Sequence, residues 1–303
     1  MLSKLVRSVR AFTQELKRLE PAAPAARPKI GIALGGGFAR GMAHIGILKV
    51  LEEEGIEVEM LAGTSVGAVI GALYCSGISA KEMEEVAALV RFSSIARYTL
   101  SRYGFCSNDR LGAFLRKILK VRTFEELKRP LAVTATDFVT GKGVVFRSGP
   151  LIDPVRASCA YPGMFLPVNV DGKLLVDGML AHPVPTVPLR EMGADRVIGV
   201  YLSSQWTNLK GPRHVFDVIG QCFSIAQEKM SSLWQSSADL VLVPDVSGFS
   251  YDDFARAPEL VKMGEAVARA ALPKIKAWLE EPKAATVPTQ TAPSVQPAPA
   301  TTT

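Results

Sequence analysis

Ser65 lies between two glycines in the stretch AGTSVGA, after the apolar stretch Val58 to Leu61 and before a second one, Ala68 to Leu73. The spacing Gly63-x-Ser65-x-Gly67 at a junction of strand and helix makes a turn too tight for side chains, which forces the serine into a strained, exposed position. A hydroxyl held that way is presented as a nucleophile for a carbonyl. GxSxG alone recurs by chance in a chain with 25 glycines, so a second feature must accompany it.

That second feature is GGGFARG, Gly35 to Gly41, again between a strand and a helix, where backbone N–H groups and the helix dipole favour negative charge. A phosphate loop would need Lys and Ser or Thr after the second glycine, and Met42 and Ala43 stand there. A dinucleotide fingerprint would need glycine at 40 or at 38, which are Arg40 and Phe38. An oxyanion hole remains: paired backbone donors stabilise the charge that develops on a carbonyl attacked by Ser65, and one lost donor typically costs ~3 kcal/mol. An ordinary tight βα turn has the same spacing.

A serine nucleophile needs a base. His44 falls on the apolar helix face of Ile45, Ile47 and Leu48 and reads as a core histidine; His214, between Arg213 and Val215, reads as a surface or capping residue. His182 is the histidine to weigh, because it is close to Asp177 in LLVDGMLAHPVP. Asp177 ends the strand-like Lys173 to Val176 and precedes Gly178, where a strand delivers a side chain to a site; a plain Asp-Gly turn is the alternative.

The elements that must position these groups can be read around them. Ile30 to Leu34 is strand-like, and a helix runs from about Met42 to Glu54, closed by Gly55. Ser79-x-x-Glu82 and Thr123-x-x-Glu126 have the form of capping boxes that start helices. Leu111, Phe114, Leu115, Ile118 and Leu119 recur at helical spacing. Leu131 to Gly149 reads as two strands around a glycine turn, and Pro167 to Gly178 as a hairpin turning at Asp171-Gly172. Strand-like Arg196 to Leu202 and Leu240 to Val243 alternate with helices near Val215 to Ser236 and Ala257 to Leu279. Early βα units with later hairpins imply a three-layer α/β/α fold around a mixed, largely parallel sheet.

Composition bounds the rest. The 303 residues are 48% hydrophobic, as in a globular protein, with a linker at residues 21–28, a folded body over 29–281 and an unfolded Pro/Ala/Thr tail over 282–303. Cys75, Cys106, Cys159 and Cys222 are scattered, without metal or disulfide spacing, so a reducing compartment is expected. No apolar run approaches the ~20 residues of a membrane span, and residues 1–20 lack the continuous apolar segment of a secretory signal, so a cytoplasmic location is expected.

GGGFARGMAHIGILKVLEEEGI, AGTSVGA, ASCAYPGMFLPV and VDGM, in this order and spacing, resemble a bacterial-type patatin-like phospholipase, a family of lipid acyl hydrolases. The resemblance runs from Ile30 to about Val200 and implies a Ser–Asp dyad in a three-layer patatin-like fold, with no metal or organic cofactor. It assigns Ser65 as nucleophile in the elbow of Gly63 and Gly67, Asp177 as its base, and Gly36, Gly37, Phe38, Arg40 and Gly41 as the oxyanion loop. Two departures bear on substrate range. Phe38 stands where the family usually has a small residue, and Asp177-Gly178-Met179 replaces Asp-Gly-Gly. A free aspartate, at about 3.9, is a weak base, so burial and contact with Ser65 have to raise its basicity.

The net charge of +6 is localised: Arg91 to Arg129 holds ten Lys/Arg against three Asp/Glu, interleaved with Phe92, Tyr98, Tyr103, Phe105, Phe114 and Phe124. In residues 1–20, Leu2, Leu5, Val6, Val9, Phe12, Leu16 and Leu19 fall at helical spacing among basic residues, which predicts a basic amphipathic helix. Both features suit an anionic membrane surface better than nucleic acid, for which a serine site gives no reason. A helix folded back on its own domain is the alternative for residues 1–20. The expected partner is a phospholipid or other acyl-ester lipid, at the inner membrane surface. A soluble esterase or lysophospholipase, or a lipid-binding scaffold with a silent site, are the alternatives.

Overall fold

Strands β1 (Ile30–Leu34) and β2 (Met60–Thr64) are buried at every residue, as parallel strands covered on both faces must be. In a computed structural model, described for residues 27–202, 211–212 and 215–280, each leads into a helix. After β1 come a 3-10 turn (Phe38–Gly41) and α1 (Met42–Glu53). After β2 come α2 (Val66–Ser76), α3 (Ala80–Leu89) and the single turn α4 (Phe92–Ile95). A separate hairpin of β3 (Arg97–Ser101) and β4 (Gly104–Ser107) precedes α5 (Asp109–Ile118). Then follow β5 (Leu131–Asp137), β6 (Gly143–Phe146), α6 (Ile152–Ser158), β7 (Val168–Val170) and β8 (Lys173–Asp177). The chain continues with α7 (Thr186–Glu191), β9 (Arg196–Val200), α8 (Val215–Lys229), α9 (Ser231–Gln235), β10 (Leu240–Leu242) and α10 (Ala257–Glu280). The segment 1–20, most of the linker 21–28, His214 and the tail 282–303 lie outside the described residues.

Among the described residues the main sheet has eight strands in the order β10-β9-β1-β2-β5-β8-β7, with β6 also on β5. β10, β9, β1, β2 and β5 are parallel; β6, β8 and β7 join antiparallel. The sheet is therefore mixed and largely parallel. Side chains alternate across it. Ala33, Met60, Ala62, Ala132 and Val197 pack against Val184, Leu189, Ala194 and Trp234 of the α7 and α9 layer. Gly63 faces the other way, where a Cβ would fall 2.4 Å from the Gly67 carbonyl of α2. On this second side α1 and α10 cross closely: a Cβ at Gly46 would sit 1.9 Å from the Val261 carbonyl, and one at Gly264 would sit 1.9 Å from that of Ala43. Two helical layers thus enclose the sheet.

The capping box at Ser79 and Glu82 starts α3 as its spacing indicates. Thr123-x-x-Glu126 starts no helix. There the Glu126 carboxylate accepts the Arg122 N–H at 2.7 Å, the Glu125 carboxylate accepts the Gly149 N–H, and the Phe124 N–H donates to the Gly149 carbonyl. Pairing with a distant turn takes the groups a first helical turn would use. The β7–β8 hairpin turns at Asp171 (φ 49°) and Gly172 (φ 78°), the left-handed pair that a two-residue turn needs. No described helix is long and apolar enough to cross a membrane.

Candidate active site

Ser65 sits between β2 and α2 with φ 57° and ψ −125°, a left-handed strain of on the order of 1–3 kcal/mol for a residue with a side chain. Both flanking glycines are required by contact: a Cβ on Gly67 would lie 2.1 Å from the Leu34 carbonyl, and Gly63 meets Gly67 as described. The strain follows the expectation from spacing, but the exposure does not. Ser65 is only 7% exposed, because the elbow opens onto an internal cleft instead of the outer surface. Its N–H donates to the Ser158 hydroxyl at 2.8 Å, which ties the elbow to the end of α6.

The glycine loop lies against this elbow. A Cβ on Gly36 would be 3.3 Å from the Ser65 Cβ. The Ala39 N–H is taken by the Tyr251 carbonyl, and the Arg40 N–H by Gly37. Gly36, Gly37, Phe38 and Arg40 line a small cavity of about 360 Å³ with Ser65, Met179, Leu202, Gln227 and Tyr251. Gly41 is not in that lining; a Cβ there would be 2.3 Å from a Val66 methyl, so it lets the loop close on α2. Phe38 has φ 51° and packs edge-on against Tyr161 and Tyr251 at 5.1 and 5.8 Å. Arg40 is buried, and desolvation lowers its pKa against the opposing charge of Asp253.

Asp177, the last residue of β8, is fully buried. Its N–H donates to the Ala160 carbonyl, its own carbonyl accepts the Thr136 hydroxyl, and Oδ1 accepts the Met179 N–H at 3.0 Å. Burial raises its pKa from 3.8 to about 7, against opposing help from the Met179 N–H and the Ser65 hydroxyl. Ser65 is thus near enough to favour the ionised form. Yet Oδ2 accepts no hydrogen bond of good geometry, so the pair is close without being bonded. Cys159 stands beside both; burial, then the Asp177 charge, push its thiol well up, so it is a neutral neighbour.

The histidines lie elsewhere. His44 is fully buried with Nε2 2.9 Å from the Gly35 carbonyl, which requires the proton on Nε2, and desolvation lowers its pKa to about 4. It is a neutral core group under the glycine loop. The His182 ring lies against β6, where a Cβ on Gly143 would meet Nε2 at 2.3 Å, and burial lowers its pKa. Ser158, Met179 and Gln227 also stand at the site, without a role assigned from the sequence. ASCAYPGMFLPV contains the first and VDGM the second, whereas Gln227 belongs to no motif.

A larger, nearly all-apolar cleft of about 830 Å³, part of it open to solvent, contains Ser65 and Phe38. Its wall comes from α2 (Val69, Leu73), α3 (Met83, Ala87) and α5 (Leu111, Phe114). Such a cleft has the shape and lining to hold an apolar group next to the hydroxyl.

The sequence is similar to those of known proteins. The family description "patatin-like phospholipase" matches residues 32–190, slightly more than half of the 303 residues. An NTE-family protein of Mycobacterium bovis is 37% identical over 179 residues, 58% of this chain and 49% of that protein. Human patatin-like phospholipase domain-containing protein 6 is 37% identical over 184 residues, 58% of this chain and 13% of that one. Lysophospholipase NTE1 of Mycosarcoma maydis is 29% identical over 227 residues, 72% and 12%. The chain spans about half, or less, of the length of these relatives. Among solved structures, VipD from Legionella pneumophila aligns at a TM-score of 0.47 and 13% identity, over 83% of this chain and 67% of that one. The matched span 32–190 takes in the glycine loop, the elbow and Asp177, and the chain belongs to the patatin-like phospholipase family.

Proposed function

We propose that this protein hydrolyses acyl esters of phospholipids or related lipids through a Ser65–Asp177 dyad and an acyl-enzyme. The observation that carries the reading is the buried Asp177 carboxylate, with Oδ2 unbonded, close to a strained serine that opens into an apolar cleft. The Ser65 oxygen attacks the acyl carbonyl while Asp177 takes the hydroxyl proton. Backbone donors of Gly36, Gly37 and Phe38 face the developing oxyanion, in a site dry enough for them to count. Collapse expels the alcohol, which receives the proton from Asp177. Water then attacks the acyl-enzyme by the same route and releases the fatty acid.

With its pKa near 7, Asp177 is a competent base at neutral pH without a histidine. A single-chain substrate suits the large apolar cleft, and a relative carries the name lysophospholipase. Residues 1–20 are assigned to membrane attachment on their basic, amphipathic sequence.

Fluorophosphonate labelling with peptide mapping tests the core of this reading, beside hydrolysis of a short-chain ester and of vesicles. Label on Ser65, with turnover abolished in Ser65→Ala and nearly abolished in Asp177→Asn, is the expected result. A folded protein that takes no label and cleaves neither substrate is a lipid-binding scaffold instead. Turnover of the soluble ester alone marks an esterase.

A further inference from the structure

We propose that the β3–β4 hairpin, Arg97–Ser107, enters an anionic bilayer surface and seats the acyl cleft against the lipid. The inference rests on the reading of Ser65 as a lipid hydrolase nucleophile, and it assigns membrane contact to an element of the folded domain itself.

The first ground is exposure. Tyr98, Tyr103 and Phe105 are 79%, 62% and 57% exposed, three large aromatic rings within eight residues. Single exposed rings are ordinary on a soluble surface, whereas a cluster marks a contact site. The two strands form their own small sheet, apart from the main one. A lone hairpin is marginal in water, and this one is held along β4, where Gly104 is buried over Phe165. There Cys106 is buried, the Phe105 and Cys106 N–H groups both donate to the Met164 carbonyl, and the Leu166 N–H returns a bond to Cys106. An anchored strand whose hairpin leaves three aromatic rings in solvent, Tyr103 of them in the turn, is what insertion requires.

Charge is the second ground. Arg91, Arg97, Arg102 and Arg110 are all exposed, and Asp109, the one acidic residue from 91 to 110, is engaged by Arg97 and Arg156. The Arg102 guanidinium lies 4.9 Å over the Tyr103 ring. Such a pair suits the headgroup layer, where a ring meets hydrocarbon and a cation meets phosphate. Lipid phosphate is the complement of this surface.

Placement is the third. Ile95, just before the hairpin, and Asn108, just after it, both line the cleft that contains Ser65. Phe165 also lines the cleft and lies directly under Gly104, whose Cβ would be 2.9 Å from the Phe165 carbonyl carbon. The hairpin therefore grows out of the cleft wall. Leu89, 79% exposed, ends α3 next to Val90, another cleft residue. An apolar chain leaving a bilayer needs such a bridge; a nucleic acid has no use for one.

The test uses the full chain carrying Ser65→Ala, so that binding is read without hydrolysis, while labelling of the unmodified chain reports on Ser65 separately. Added tryptophan fluorescence in Phe105→Trp, taken against the same chain without it, should shift to the blue on phosphatidylglycerol vesicles. The shift should be smaller on phosphatidylcholine. Replacing Tyr98, Tyr103 and Phe105 together by Ser should weaken sedimentation with anionic vesicles about tenfold or more. With Ser65 intact, the same triple variant should cleave a soluble short-chain ester as the parent does. Arg102→Gln, a lone exposed change, should weaken vesicle binding and keeps the test readable if the triple variant fails to fold. No shift at position 105 together with unchanged vesicle binding by the variants overturns the proposal. So does binding of single-stranded RNA, and not vesicles, through the same residues.

Discussion

The Ser65 backbone N–H donates to the Ser158 hydroxyl at 2.8 Å across 93 residues of chain. Both residues are buried, so Ser158→Ala leaves a buried donor without its acceptor at a strained point of the site. The cost should be about 1–3 kcal/mol, read as a lower denaturation midpoint. Short-chain ester turnover should fall in kcat more than it rises in KM, because the elbow loses its aim while the cleft keeps its wall. An unchanged midpoint and unchanged kcat would remove Ser158 from the account.

Asp177 couples activity and stability with opposite signs. Between 3.8 and about 7 the folded chain holds a proton on this carboxyl that the unfolded chain has released. Stability therefore falls as pH rises through that window, and the full cost of the buried charge is present above about 7. Turnover should rise over the same window as the base ionises. Asp177→Asn should melt higher than the parent at about pH 8, with the gap closing toward about pH 4, and should be nearly inactive throughout. A midpoint difference that does not change with pH would contradict this.

His44 acts in the other direction. Its folded pKa of about 4 lies below the ordinary 6.5, so the unfolded chain takes up a proton first and stability is lost as pH falls across that range. His44→Gln keeps an N–H for the Gly35 carbonyl and has nothing to titrate. We expect near-parental turnover at neutral pH and a smaller stability loss on acidification, measured by denaturant midpoints. Loss of turnover in folded His44→Gln would restore a histidine to the chemistry. The same holds for His182→Ala, which should remain active.

Phe38 borders both cavities and holds a left-handed backbone angle. Phe38→Gly relieves that angle, worth about 1 kcal/mol, and opens the wall between the two spaces. The ratio of bulky-acyl to slim-acyl ester turnover should rise severalfold. If the ratio holds constant, the ring does not limit the acyl chain.

The parts legible in the sequence were those fixed by local contacts. Gly63 is fixed by Gly67 and Ala68, close along the chain, and Asp171-Gly172 by its own backbone angles, whereas the contact of Gly67 with the Leu34 carbonyl is long-range and shows in the sequence only through the spacing. Thr123-x-x-Glu126 misleads because Gly149, a residue from another segment, takes up the Phe124 N–H. The β3–β4 hairpin carries no strand signal, because β4 buries Gly104 and Cys106 and exposes Phe105, so its hydropathy runs against its burial. Gln227 is invisible for a similar reason: it lines the small cavity from α8 and belongs to no motif.

The close crossing at Gly46 and Gly264 has a consequence for synthesis. Helix α1, which follows the glycine loop, is shaped to a surface supplied by α10, and β1 is paired on one side with β9. While the chain emerges from the ribosome, the first βα unit is complete in sequence long before these partners exist. The surface on which α1 packs is therefore complete only when residues near 264 have been released, so the first βα unit waits for a partner more than 200 residues further along the chain.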